Sequence, residues 1–402
     1  MNSFVKAVLA CILTALFFIS LFKIFGYEET WKIWNINVMT PHFADLRSIT
    51  SGADEFEKGL DPMKSNPTDP WQRPLNYPRL WQSLYYIGIN NSHITYFGII
   101  VIASFLAGIC LLLHKANNTM IIFVMGALLS PSTLLGIERA NIDLFMFFIL
   151  SLSIFFMKRY SILSTIMVFW GFMLKIYPVF GFLILLRLNK SQFWKYILVV
   201  IGLVILYVII TYSDLLLIRK STVYSLGLSY GFNVVWMKVM SMNSTIGLYV
   251  KIFTYILLLM TLPIIYFGLK STDFKNDEAE NNSYYLDAFR VGTAIYTGTF
   301  LIGNNFDYRL IFLIFTIPQL LLWSGSNFSR ISKFSKVALV GIFLSFWYLI
   351  IKKFTGLYIS FVIDEIANWF VYFILIYLVT CSMPDWVKKA QYNFNLKFRT
   401  TN

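Results

Sequence analysis

The segment 161–188, SILSTIMVFWGFMLKIYPVFGFLILLRL, decides how this chain is to be read. It is apolar over a length that one tilted helix uses to cross a bilayer, about 20 residues or more. Lys158-Arg159 precede it, however, and Arg187 and Lys190 follow it. A single crossing would put one basic cluster outside, against the preference of basic loops for the cytoplasmic face. Lys175 stands in the middle, and Pro178 three residues later cannot donate a helical N–H. The segment therefore predicts two short half-helices that enter and leave on the cytoplasmic side, with Lys175-Ile176-Tyr177-Pro178 at the turn. Broken backbone at that depth is tolerated only where protein buries it or a wet cavity receives it.

The rest of the chain supports a membrane setting. Of 402 residues, 58% are hydrophobic and only 13% are charged, where a soluble domain carries about 25% charged residues. That balance excludes disorder, a coiled coil and a disulfide scaffold. Cys11, Cys110 and Cys381 each lie in an apolar run and read as small buried hydrophobes. Further candidate spans lie at Phe4 to Phe25 and near 94–113, 120–136, 142–157, 194–213, 247–269, 288–303, 309–324, 337–352 and 361–381. The expected fold class is an all-α polytopic membrane protein, a single domain over 1–402 with about 10 full spans plus the re-entrant hairpin. The first run is too long for the core of a cleaved signal peptide and reads as a retained span.

With the amino terminus inside, Lys115, Lys158-Arg159, Arg187 to Lys195, Arg330 to Lys336 and the tail Lys388 to Arg399 all fall in the cytoplasm. The acidic run Asp273 to Asp287 falls there too, and Lys352-Lys353 conflicts by falling outside. The net charge of +13 is scattered between apolar runs, which points to anionic lipid and not to nucleic acid. The longest polar segment, 27–93, is then an extracytoplasmic loop with short helices. Within it, Ala44 to Lys58 has helical character, and Leu80 to Ile89 reads as an interfacial amphipathic helix anchored by Trp81 and Tyr85.

The unusual polar residues gather on that outer side: Asp45, Arg47, Arg79, Glu138, Arg139, Asn141, Asp143, Asn233, Asn304, Asp307 and Arg309, with Lys175 pointing the same way. Ionisable residues at membrane depth are costly and signal function. There is no Walker A loop, no dinucleotide glycine fingerprint, no His-Glu-x-x-His and no Asp-x-Asp pair. His42, His93 and His114 are too dispersed for a metal site. No metal and no cofactor is expected.

Several motifs occur in order. The first loop reads Asp45-Leu-Arg-Ser, Gly59-Leu-Asp61-Pro62 and Asn76-Tyr77-Pro78. Gly136-Ile-Glu-Arg-Ala-Asn141-Ile-Asp-Leu and Lys175-Ile-Tyr177-Pro178 follow. This series resembles the polytopic glycosyltransferases of family 87, the group with GT-C fold that includes polyprenyl-phosphomannose-dependent α-1,2-mannosyltransferases. Arg79 stands where that pattern has a second proline, Met63 where an aromatic follows Asp-Pro, and Glu138-Arg139 around its glutamine. The resemblance implies a GT-C fold in a bacterial inner (cell) membrane, with the active site on the extracytoplasmic side. It also implies a polyprenyl-phosphate sugar as donor and a glycolipid or glycan as acceptor.

The chemistry of such a transfer fits the same residues. When a hydroxyl attacks the anomeric carbon it must lose a proton, and negative charge grows on the departing phosphate. No acid is needed for a leaving group that departs as a stable anion. Asp45, just after the first span, suits the base; Lys175, Arg309 and Arg139 suit the phosphate. Arg79, Tyr77, Glu138, Asn141, Asn233, Asp307 and Tyr308 are expected to line the substrate cavity. Plainer roles exist for some of these: Asp61 in a turn, Lys175 snorkelling to an interface, Arg309 paired with Asp307. A carrier or flippase for lipid-linked saccharides, or a polymerase of them, is the alternative. A carrier needs polar residues towards both faces.

Overall fold

Helix Ser161–Leu174 ends at Lys175, whose backbone is extended (φ −159°, ψ 134°), and a 3₁₀ helix, Tyr177–Arg187, starts two residues on with Pro178 in its first turn. A β-carbon on Gly171 would touch Pro178 at 3.3 Å, and one on Gly181 would touch Val168 at 3.4 Å. The chain therefore doubles back at Ile176, its two arms packed side by side. Trp81 closes the tip, its indole N–H donating to the Leu174 carbonyl at 2.9 Å. It is buried, so it is no interfacial anchor: it is the peg that joins the first loop to the hairpin. The exposed aromatic residues of its helix, Arg79–Ile87, are Tyr85 and Tyr86.

The computed structural model describes residues 2–271, 283–326 and 329–389. Residues 273–282 of the acidic run and 390–399 of the basic tail lie outside them. The fold is all-α apart from a two-residue antiparallel ribbon, Ser229–Tyr230 with Asn305–Phe306, in which Tyr230 faces Asn305. Among the described residues five helices are long and apolar enough to cross a membrane: Ser3–Phe25, Asn91–Leu112, Lys190–Ile210, Ser244–Lys270 and Leu357–Cys381. Two bent pairs, broken by 57° between Leu128 and Pro131 and by 68° at Trp347, bring the number to seven when each counts as one span.

Hydropathy alone pointed to more spans, and the difference has a physical cause. A window of apolar residues does not distinguish a helix facing lipid from one buried inside the protein. Asp143–Met157 has only 15 residues, and 309–324 is a 3₁₀ segment, Asp307–Thr316, followed by Ile317–Ser324. Ser283–Ile302 is 20 residues long but carries Asp287 and Arg290. These elements form the protein's interior. Phe147 stacks on Phe315 at 4.1 Å and Phe300 on Tyr372 at 4.4 Å. Around them Ser3–Phe25 and Lys190–Ile210 show most of their apolar surface outward, as helices bathed in lipid would.

Candidate active site

Three chain segments meet at the tip of the hairpin. Helix Ala44–Glu57 is entered through Phe43, which takes the left-handed conformation (φ +61°). Gly98 makes room for its ring, since a β-carbon there would lie 2.7 Å from it. Asp45 follows in the first turn, its N–H donating to the Arg139 carbonyl at 3.2 Å. Asn141 stands just before helix Asp143–Met157, its Oδ1 accepting the Asp143 N–H at 2.9 Å.

The Asn141 side chain is the hinge of the site. Its Nδ2 donates to Asp45 Oδ2 at 2.6 Å, and its Oδ1 also receives Lys175 Nζ at 3.4 Å. One amide thus joins a carboxylate to an ammonium, with its orientation fixed by both. Lys175 also pairs with Asp143 and lies over the rings of Tyr77 and Tyr177, at 4.9 and 5.7 Å. Asp143 takes the Tyr177 hydroxyl at 2.6 Å and Arg309 Nε at 3.2 Å. Arg309 in turn donates to Asn305 of the ribbon and stacks on Tyr177 at 4.7 Å. The side chain of Asp143 is 1% exposed, against 19% for Asp45, 12% for Lys175 and 17% for Arg309. Asp143 is therefore the floor that holds two cations, and Asp45 is a carboxylate that solvent reaches.

The sequence placed Asp45, Tyr77, Asn141, Lys175 and Arg309 in one cavity, and the fold brings them together. Tyr308 joins them, stacked on Phe306 at 5.4 Å and within the electrostatic reach of Asp45 and Arg309. The plainer alternative for Arg309, a pair with Asp307, does not form; Arg309 pairs with Asp143. Arg139 is drawn off: its Nε pairs with Glu138 at 2.9 Å and Nη2 donates to Asn37 O at 3.0 Å. Glu138 is fully buried and also accepts the Met39 N–H at 3.1 Å. Arg79 does not reach the cluster either, pairing with Asp61 at 3.1 Å and Asp214 at 2.9 Å. Burial alone would raise the Asp61 carboxyl, but Arg79, the Met63 amide and Lys64 outweigh it and hold that group below its ordinary value. Asn233 lies beside Gly303, outside the cluster.

Asp307 faces the other way. It is buried with neither carboxylate oxygen hydrogen-bonded, in the field of Asp364 and of Lys352. Asp364 and its neighbour Glu365 are buried in Leu357–Cys381, and Glu365 has no hydrogen-bond partner on either oxygen. Two acids inside the apolar run 361–381 were a signal for this buried acidic group. A further ionic group, Arg187, Asp287 and Arg290, lies at the opposite end of the hairpin arm, with Arg290 donating to Ser382 O at 2.8 Å. Among the described residues no three His, Cys, Asp or Glu side chains form a group that could hold a metal ion.

Three residues carried no role in the sequence reading. Asp143 stood in the outer polar set without one. Arg73 and its partner Asp69 were missed, because a loop arginine gives no periodic signal. No family model, no curated protein and no solved structure matches this chain.

Proposed function

We propose that this chain is a membrane glycosyltransferase that moves a sugar from a polyprenyl-phosphate donor to a glycolipid or glycan acceptor, with inversion. The observation that carries this is the joining of a solvent-reached carboxylate, Asp45, to Lys175 through Asn141, with Arg309 held beside Lys175 by the buried Asp143. A base and an anion-stabilising pair in one cavity are the two parts the reaction needs. The acceptor oxygen forms a bond to the anomeric carbon while the bond from that carbon to the phosphate oxygen breaks. The electron pair leaves with the phosphate, whose charge Lys175 and Arg309 stabilise, and the acceptor proton passes to Asp45. Asp143 keeps both cations at the cavity floor. Arg139 and Arg79, engaged by Glu138, Asp61 and Asp214, are left out of the phosphate contacts.

In this proposal the hairpin re-enters from the cytoplasm of a bacterial inner membrane, with about ten further crossings, and the cavity opens on the extracytoplasmic side. A cysteine at Lys64, whose side chain is 71% exposed, is then expected to react with an impermeant maleimide on intact cells, and one at exposed Ser191 only after lysis. Labelling of Ser191→Cys on intact cells would overturn the re-entrant topology.

A carrier for lipid-linked saccharides remains the second reading, favoured by the buried Arg187, Asp287 and Arg290 group at the far end of the hairpin. The deciding experiment is incubation of purified protein with a panel of polyprenyl-phosphate sugars and a glycan acceptor, with release of free lipid phosphate as the readout. Turnover with one donor is the expected result. Donor crossing of proteoliposome membranes with no phosphate release would favour the carrier.

A further inference from the structure

We propose that Arg73 is a positioning residue of this site, one that sets the orientation of Asp45 through the carboxylate oxygen that Asn141 leaves free. The proposal rests on Asp45 being the working carboxylate of the cavity.

The loop before Arg73 is built to immobilise it. Asn66 ties the loop to helix Ala44–Glu57, its Nδ2 donating to Ser48 O at 3.1 Å. Asp69, its side chain wholly buried, accepts the backbone N–H groups of Trp71 and Arg73 at 3.2 and 3.0 Å. It also accepts the guanidinium, from Nε at 3.0 Å and from Nη2 at 2.9 Å. The Trp71 ring covers one face of the guanidinium at 4.6 Å, and Nη2 donates to the carbonyl of Ala44, the residue before Asp45.

An arginine so fixed has lost its freedom before any ligand arrives, unlike a surface arginine that must be ordered for each contact. Its remaining nitrogen, Nη1, lies 3.8 Å from Asp45 Oδ1. That is too long for a hydrogen bond and short for two charges. Arg73 therefore acts on Asp45 through space, as a fixed positive charge that draws Oδ1 towards it. It also holds the carboxylate against rotation while Asn141 fixes Oδ2. The other titratable or charged groups facing Asp45 are Lys175 from the hairpin, Tyr77 from the first loop, Tyr308 beside Arg309, and the Glu138–Arg139 pair. Arg73 shares the loop with Asp69, so its loss would also leave Asp69 as an unscreened like charge.

The competing possibility is that Asp69 and Arg73 merely staple the loop, with Asp45 a bystander. A double-mutant cycle on melting temperature separates the two, because a contact between Arg73 and Asp45 couples their substitutions and a staple of the loop alone does not. The full-length protein in detergent is measured as wild type, Arg73→Gln, Asp45→Asn and the double variant. The loss in the double variant is expected to fall short of the sum of the single losses by about 1 °C or more, and Arg73→Lys is expected to keep most of the coupling. Arg73→Met, which keeps the stem against Trp71, takes the place of the glutamine variant if that one does not fold. Additive losses in the cycle with either neutral variant overturn the proposal. The readout uses neither donor nor acceptor, so it is independent of whether the protein transfers sugar. Where transfer is established, Arg73→Gln is expected to lower kcat with donor KM unchanged.

Discussion

Asp45→Asn is expected to lower transfer by about 100-fold or more in a protein that folds normally and still binds donor. Asparagine keeps the shape of aspartate and can still accept the Asn141 amide hydrogen bond, but it cannot take a proton. The substitution therefore separates chemistry from packing. A 100-fold loss corresponds to about 2.7 kcal/mol of transition-state stabilisation, more than a surface charge contributes to anything else. Asp61→Asn is the matched control: its carboxylate is committed to Arg79 and to the Met63 amide, and it is expected to keep most of the activity. Both variants are measured at saturating donor and acceptor, with melting temperature recorded alongside. Turnover within a few-fold of wild type in Asp45→Asn would sink the assignment of the base. Among the described residues no other carboxylate at the cavity could inherit the role as it stands, since Asp143 is buried beneath two cations, Glu138 is buried against Arg139, and Asp307 faces Asp364.

The features legible in the sequence were those that local chemistry imposes. Lys175 between two basic clusters, followed by Pro178, gave the doubled-back hairpin, because charge and a missing N–H act on the nearest turns of chain. Asp45, Asn141 and Lys175 stood out as a set through the resemblance of the motifs that carry them to a known family. What could not be read was how elements distant in sequence share an interior. Five helices, or seven with the bent pairs, are long and apolar enough to cross, fewer than the runs that hydropathy marks, because Asp143–Met157 and Asp307–Thr316 are short elements packed inside the protein. Trp81 looked like a membrane anchor because an indole serves equally at an interface and inside a cavity wall; only the position of the Leu174 carbonyl decides between them. The plainer role open to Arg309 was a pair with Asp307, two residues away, but residues of a 3₁₀ helix point about 120° apart from one to the next and Asp143, far earlier in the chain, takes Arg309 instead. The Asp69–Arg73 pair is four residues apart, and its meaning arises only from Ala44 and Asp45 lying across from it.

The second large effect is expected at the cavity floor, where donor binding and stability can be pulled apart. Lys175→Met removes a cation that would face phosphate in a dry site, a charge-assisted contact of about 1.5–3 kcal/mol, so affinity for polyprenyl phosphate is expected to fall by about 10- to 100-fold. Its cost in stability is smaller, because Asp143 retains Arg309 and the Tyr177 hydroxyl. Asp143→Asn does the reverse. It leaves Lys175 and Arg309 facing each other without their shared carboxylate, and breaking a buried pair in this way costs about 3–5 kcal/mol. The double variant Lys175→Met/Asp143→Asn is left with one cation against an amide and a phenol. It should therefore be more stable than Asp143→Asn alone, a departure from additivity of about 1 kcal/mol or more, while binding polyprenyl phosphate no better than Lys175→Met. Thermal unfolding and lipid-phosphate binding on the four proteins measure both quantities. If Lys175→Met lowers the melting temperature but binds polyprenyl phosphate within about twofold of wild type, Lys175 is only the counter-ion of Asp143, and the phosphate must be held by another part of the cavity.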